Sequence, residues 1–112
     1  MTPIEEIDPS TADACVTEGA LLLDVRTPAE WDAGHAPAAV HLPLDQLGDR
    51  HTELPTDRQI VVICRSGGRS ARAAEALVGA GYDAVNLAGG MQAWTAIGLP
   101  CVTDTGDSGT VA

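Results

Sequence analysis

Straight after the apolar run Ile60-Val61-Val62-Ile63 the chain reads Cys64-Arg65-Ser66-Gly67-Gly68-Arg69-Ser70. The sequence has no lysine, and of its six basic residues three, Arg65, Arg69 and Arg72, follow this cysteine closely. A cysteine is a nucleophile only as the thiolate, so whatever stabilises the anion decides its chemistry. Two adjacent glycines leave the backbone free to curl until successive N–H groups point to one side. The result is an anion nest at a place where a following helix also offers free donors. Lowering a thiol pKa from about 8.5 to near 6.5 takes roughly 2.7 kcal/mol of preferential anion stabilisation. A helix terminus supplies ~0.3–1 kcal/mol and at best about 2, so N–H bonds and a nearby guanidinium must supply the rest.

The plain alternative is a core cysteine at a strand end, with the glycines and Ser70 as ordinary helix-start residues. The surround of Arg65, Gly67, Gly68 and Arg69 argues against it, because two arginines placed about a filler thiol would be costly to bury.

The elements that would position this loop follow from pattern and punctuation. Residues 3–7 (PIEEI) read as a short edge strand. Asp8 and Pro9 give an N-cap and a first-turn proline for a helix running to about Glu18, and Gly19 ends it. Residues 20–25 (ALLLDV) are apolar up to Asp24, as in a strand covered on both faces. Thr27, Pro28 and Glu30 spell a capping box opening a brief helix that stops at Gly34. Residues 38–43 (AAVHLP) read as a strand, 44–50 as a helical turn and 51–59 as surface loop. Ile60–Cys64 is β-branched and apolar, the best candidate for the central strand. An alanine-rich helix follows, closing at Gly79 or Gly81, then a strand over 84–90 and a helix over 91–98. Strands alternating with helices imply one α/β domain, a central parallel sheet of about five strands with helices on both faces. In such a sheet the ligand site lies beyond the carboxyl ends of the strands, where Cys64 falls. The domain is expected over residues 1–102, and the polar, small-residue tail 103–112 (TDTGDSGTVA) is expected to be disordered.

Composition narrows the partners. The chain has 112 residues, enough for one core, with a formal net charge of −10. That field repels nucleic acid, yet screening over about 8 Å lets a local arginine cluster dominate at its own site. The N-terminus lacks the basic and apolar segments of a signal peptide, and no apolar run approaches a membrane span, so no membrane role is expected. Three widely spaced cysteines, Cys15, Cys64 and Cys101, do not make a disulfide framework, and a reducing cytoplasm is the simplest compartment. His35, His41 and His51 lack metal-ligand spacing with any cysteine, so neither a metal nor another cofactor is expected.

The segments LLLDVRTPAEWDAGHAPAAVHLPLDQL (21–47), VVICRSGGRSARAAEALVGAGYDAVNLAGGMQAW (61–94) and GLP (98–100) together resemble a single-domain rhodanese. The resemblance runs to about Val102. It implies a sulfurtransferase in which Cys64 takes the outer sulfur of thiosulfate or another donor as a persulfide and passes it to cyanide or a thiol. A protein could serve as donor or acceptor. On this reading the amides from Arg65 to Ser70 (Arg65, Ser66, Gly67, Gly68, Arg69, Ser70) bind the substrate sulfur, and Arg65 or Arg69 receives the sulfonate. Only four residues separate Cys64 from Arg69, one fewer than in the related cell-cycle phosphatases, whose wider cradle accepts phosphate. The shorter loop favours sulfur over a phosphatase or arsenate reductase. A persulfide carrier without turnover, or a binding module, is the other alternative.

The resemblance also implies that Asp24, Arg26 and Glu30 brace the active loop, although Glu30 has a local explanation as a capping-box residue. His35 reads as a structural turn residue, and Trp31 and Trp94 as packing. Cys101 stands where relatives usually carry an apolar residue and reads as small filler more readily than as a resolving thiol.

Overall fold

A computed structural model describes residues 4–112, so Pro3, expected to open the edge strand, lies outside the described residues. Five strands alternate with five helices: β1 Glu6–Ile7, α1 Pro9–Thr17, β2 Leu21–Asp24, α2 Pro28–Ala33, β3 Ala39–His41, α3 Leu47–Arg50, β4 Ile60–Ile63, α4 Gly68–Gly79, β5 Ala84–Leu87 and α5 Gly90–Ala96. Short 3-10 turns at Leu44–Gln46 and His51–Glu53 flank α3. Every strand pairing is parallel and the order is β1-β5-β4-β2-β3, which puts β4 in the middle as its β-branched run predicts.

Local chemistry sets the helix starts. Asp8 accepts from the Thr11 amide at 2.8 Å ahead of Pro9. Thr27 and Glu30 form the reciprocal capping box that opens α2. Strand alternation then divides the core in two. Ile60 and Val62 face a cluster with Leu23, Leu47, Ala73 and Leu77 on the α3 and α4 side. Val61 and Ile63 face a cluster with Ala12, Leu22, Leu87, Met91 and Trp94 on the α1 and α5 side. Cys64 continues the alternation one step past β4, which turns its side chain toward α4.

Two segments differ from the sequence reading. The strand expected over 84–90 ends at Leu87, because Gly89 and Gly90 both take positive φ and start α5 instead. The tail expected to be disordered lies folded against α2 and its loop. Val102 and His35 exchange backbone hydrogen bonds at 2.8 Å each, Val102 bridges to Ser108, and the Thr110 amide donates to the Ala33 carbonyl at 2.9 Å. A Cβ added at Gly109 would stand 2.7 Å from the Gly34 Cα, so the small residues that read as disorder permit close backbone contact here. Val111 packs against the α1/α5 cluster.

Candidate active site

The site is assembled at the carboxyl end of β4, where the loop 64–67 leads into the twelve-residue helix α4. Gly67 is the N-cap, with φ +106°, and has no side chain to occupy the first helical amides. The Cys64 sulfur takes that place. Its Sγ accepts from the Gly67 N–H at 3.1 Å and from the Ser70 hydroxyl at 3.2 Å, and the neighbouring Ser66 and Ser70 amides add to the field that favours the anion. Burial, at 1% exposure, works against ionisation most strongly, but the Ser70 hydroxyl and the amides of Ser70, Gly67 and Ser66 together outweigh it. The thiol is therefore held below its ordinary pKa.

The amides point inward because the carbonyls are pulled outward. The N-terminal amides of α5 donate to the loop from behind, Met91 N–H to the Cys64 carbonyl at 2.7 Å and Gln92 N–H to the Arg65 carbonyl at 3.0 Å. In a trans peptide the N–H points opposite to the C=O, so fixing the Arg65 carbonyl on α5 turns the Ser66 N–H toward the sulfur. The approach requires Gly90, where a Cβ would sit 2.4 Å from the Cys64 carbonyl oxygen at a φ of +57°. Sequence reasoning assigned no site role to Gly90, Met91 or Gln92. The glycine pair was visible, but the partner it admits is distant in sequence.

The expected site residues do not all converge. Arg69 forms a bidentate pair with Glu30, NH1 to Oε1 at 2.7 Å and NH2 to Oε2 at 2.8 Å, so Glu30 serves both its capping box and the loop. That guanidinium is the main reason the Glu30 carboxyl is lowered to about 2. Arg65 lies at the surface, its Nε donating to the Ala112 carbonyl oxygen at 2.8 Å. With the Gln92 amide oriented oxygen toward Arg65, its two terminal nitrogens donate there at 3.0 and 3.3 Å. Both arginines expected to meet a sulfonate thus have partners in this structure.

Asp24 and Arg26 are buried as a pair, Arg26 Nε and NH2 on the carboxylate at 3.0 and 2.8 Å and NH2 also on the Gly34 carbonyl at 2.8 Å. Among the described residues neither bonds the 64–70 loop, so this pair clamps the end of α2 and not the active loop. His35 stacks on Trp31 with ring centroids 3.6 Å apart and meets Asp104 at 2.9 Å. Trp94 is buried and donates to the Pro100 carbonyl. Cys101 packs in the α1/α5 cluster, whereas Cys64 belongs to the other. Next to the loop a cleft of about 390 Å³ opens between Val25, Pro28, Pro43 and Leu44, with Arg69 and Asp45 among its walls.

A parallel α/β sheet with a cysteine nested at the head of a helix defines a class of thiolate-bearing domains, and comparison places the chain within it. The family described as "Rhodanese-like domain" matches residues 8–97, and the chain belongs to that family. It is 47% identical over 91 residues to a protein of Allochromatium vinosum named "Sulfurtransferase", covering 80% of this chain and 85% of that one. It is 38% identical over 95 residues to the "Thiosulfate sulfurtransferase GlpE" of Pseudomonas syringae pv. syringae, covering 84% and 90%. Among solved structures, a rhodanese-related protein from Thermoplasma volcanium superposes with a TM-score of 0.83 at 32% identity, covering 88% of this chain and 97% of that one.

Proposed function

We propose that the protein is a sulfurtransferase that carries sulfane sulfur on Cys64, with thiosulfate as a donor and cyanide or a thiol as acceptor. The Cys64 thiolate attacks the outer sulfur of thiosulfate, the sulfur–sulfur bond breaks, and sulfite leaves with the electron pair. An acceptor thiolate or cyanide then attacks the outer sulfur of the persulfide and the Cys64 thiolate departs, which restores the enzyme. This is two-step covalent catalysis in which proton transfer is minor and no electron acceptor is needed.

The observation that carries the reading is the pair of donors on one sulfur, the Gly67 amide and the Ser70 hydroxyl, with the Ser66 and Ser70 amides close enough to favour the anion. They favour the thiolate before attack and again as leaving group, when charge returns to Sγ. The outer sulfur would sit in the mouth of the nest, where the loop from Arg65 to Arg69 presents its concave side. Because Arg69 is paired with Glu30, recognition of the anionic donor falls on the loop amides, aided by whichever guanidinium changes partner.

The test compares wild type with Cys64→Ala in thiosulfate and cyanide, reading thiocyanate, with an aryl phosphate as control. Wild type should turn over and gain one sulfur atom in mass from the donor, and Cys64→Ala should do neither. Phosphate release without sulfur transfer would overturn the reading. Sulfur uptake with no turnover would reduce the protein to a carrier.

A further inference from the structure

The carbonyls of Cys64 and Arg65 are held by backbone amides of α5, whereas that of Gly67 accepts from a side chain as well as from the Ala71 amide. Asn86, on β5 between Glu6 of β1 and Val62 of β4, is 2% exposed. It lies on the same face as Ala84, which turns it to the α4 side. Its Nδ2 donates to the Gly67 carbonyl at 3.1 Å and to Glu6 Oε1 at 2.9 Å. Gly67 itself gives its N–H to the sulfur. Nothing in the pattern AVNL asks for an amide here. Its Oδ1 is buried with no partner among the described residues, so the residue carries a stability penalty that an aliphatic side chain would avoid.

We propose that Asn86 is a positioning residue that shapes the amide nest around Cys64 by holding the Gly67 carbonyl away from the sulfur. A planar trans peptide sends the Gly68 N–H opposite to the Gly67 C=O, so the clamp turns that donor toward the concave side of the loop while it fixes the left-handed turn that aims the Gly67 N–H. Without it the Ala71 amide alone, at 3.2 Å, retains the carbonyl, and neither residue of the Gly67–Gly68 peptide has a Cβ to resist its rotation. The charged groups about the thiol are Arg65 and Arg69 on its own loop and helix, Asp24 at the end of β2, Glu30 on α2 through Arg69, and Glu6 on β1 through Asn86. An uncharged replacement of Asn86 changes none of these charges and releases only the exposed Glu6 carboxylate, so a changed thiol titration reads chiefly the amide geometry.

The role matters to catalysis only if Cys64 is the sulfur carrier, but the test uses no sulfur donor and stands apart from that reading. The pH dependence of iodoacetamide alkylation at Cys64 and the thiolate ultraviolet absorbance are measured for wild type, Asn86→Leu, Asn86→Ala and Asn86→Gln, each beside a denaturation curve. In the Leu or Ala variant the thiolate fraction below its midpoint should fall about three- to tenfold, as expected for weakening one or two hydrogen bonds to an anion, while stability is held or raised. Asn86→Gln, which retains the donor, should restore part of the loss. A folded Leu or Ala variant that titrates as wild type overturns the proposal. So does failure of both to fold, which would make Asn86 a requirement of the fold itself.

Discussion

Arg26–Asp24 and Arg69–Glu30 are the same chemical pair in two settings. The first has both side chains at 0% exposure, and the second is open to 36% on the arginine and 17% on the carboxylate. Burial removes hydration from both partners of the inner pair, so each depends on the other, Arg26 also donates to the Gly34 carbonyl, and the Arg26 NH1 is left with no partner among the described residues. The outer pair keeps part of its water and sits at the rim of the cleft beside the loop. One pair holds the framework, and the other sets the charge at the rim of the cleft.

The largest effect should come from breaking the inner pair on one side. Asp24→Asn leaves the Arg26 cation buried without its counterion and should cost about 3–5 kcal/mol in urea denaturation. That is a large share of the ~5–15 kcal/mol that holds a domain of this size. Removing both charges, as Asp24→Leu with Arg26→Met, should recover most of that loss. A loss below about 1 kcal/mol for Asp24→Asn would erase the distinction between the pairs.

Breaking the outer pair should act through pH and the donor. The Arg69 guanidinium is the chief cause that lowers the Glu30 carboxyl to about 2, with burial opposing and Thr27 assisting, against an ordinary value of 4.5. A carboxylate depressed in the folded state stabilises above its unfolded pKa, and that stability is lost as pH falls from about 4.5 toward 2. Solvent screening at the half-open arginine reduces the contribution to the order of 1 kcal/mol. Glu30→Gln should flatten the stability curve over that acid window. At neutral pH it also frees the Arg69 charge for an anionic donor, so the thiosulfate KM should fall about two- to fivefold with kcat little changed. An unchanged KM and an unchanged acid slope would mean the outer pair is ornamental.

How much of this could be read from the chain depends on whether the partner is local. The capping box of Thr27 and Glu30 and the centrality of Ile60–Ile63 were legible because each is written in a few adjacent residues. So was the glycine turn that leads from Cys64 into α4, whose residues are contiguous. What escaped was long-range. The α5 amides behind the loop and the Arg69 partner of Glu30 join residues from different crossovers, and the turn of Arg26 toward Gly34 closes over eight residues by burial that no spacing records. The tail was misleading for a related reason: glycine and small polar residues have the same composition whether they are free or pressed against another backbone.

The smallest expected effect tests whether thiol position or thiol presence separates the two regions. Cys101 lies near the inner pair, where burial raises its thiol pKa, Asp24 adds to the rise and Arg26 offsets part of it. A raised thiol stays protonated at neutral pH and is a poor nucleophile. Cys101 and Cys64 also belong to clusters on opposite faces of the sheet, so a disulfide between them would need the backbone to move until their Cα atoms came within about 7 Å. Cys101→Ala should leave sulfur-transfer rates within about twofold. It should lower stability by ~1 kcal/mol for the side-chain volume lost beside Gly34. One equivalent of iodoacetamide at pH 7 should label Cys64 ahead of Cys101 in the wild type. Preferred labelling of Cys101, or a tenfold loss of turnover in Cys101→Ala, would assign that thiol a part in the chemistry and place reactivity on both faces of the sheet.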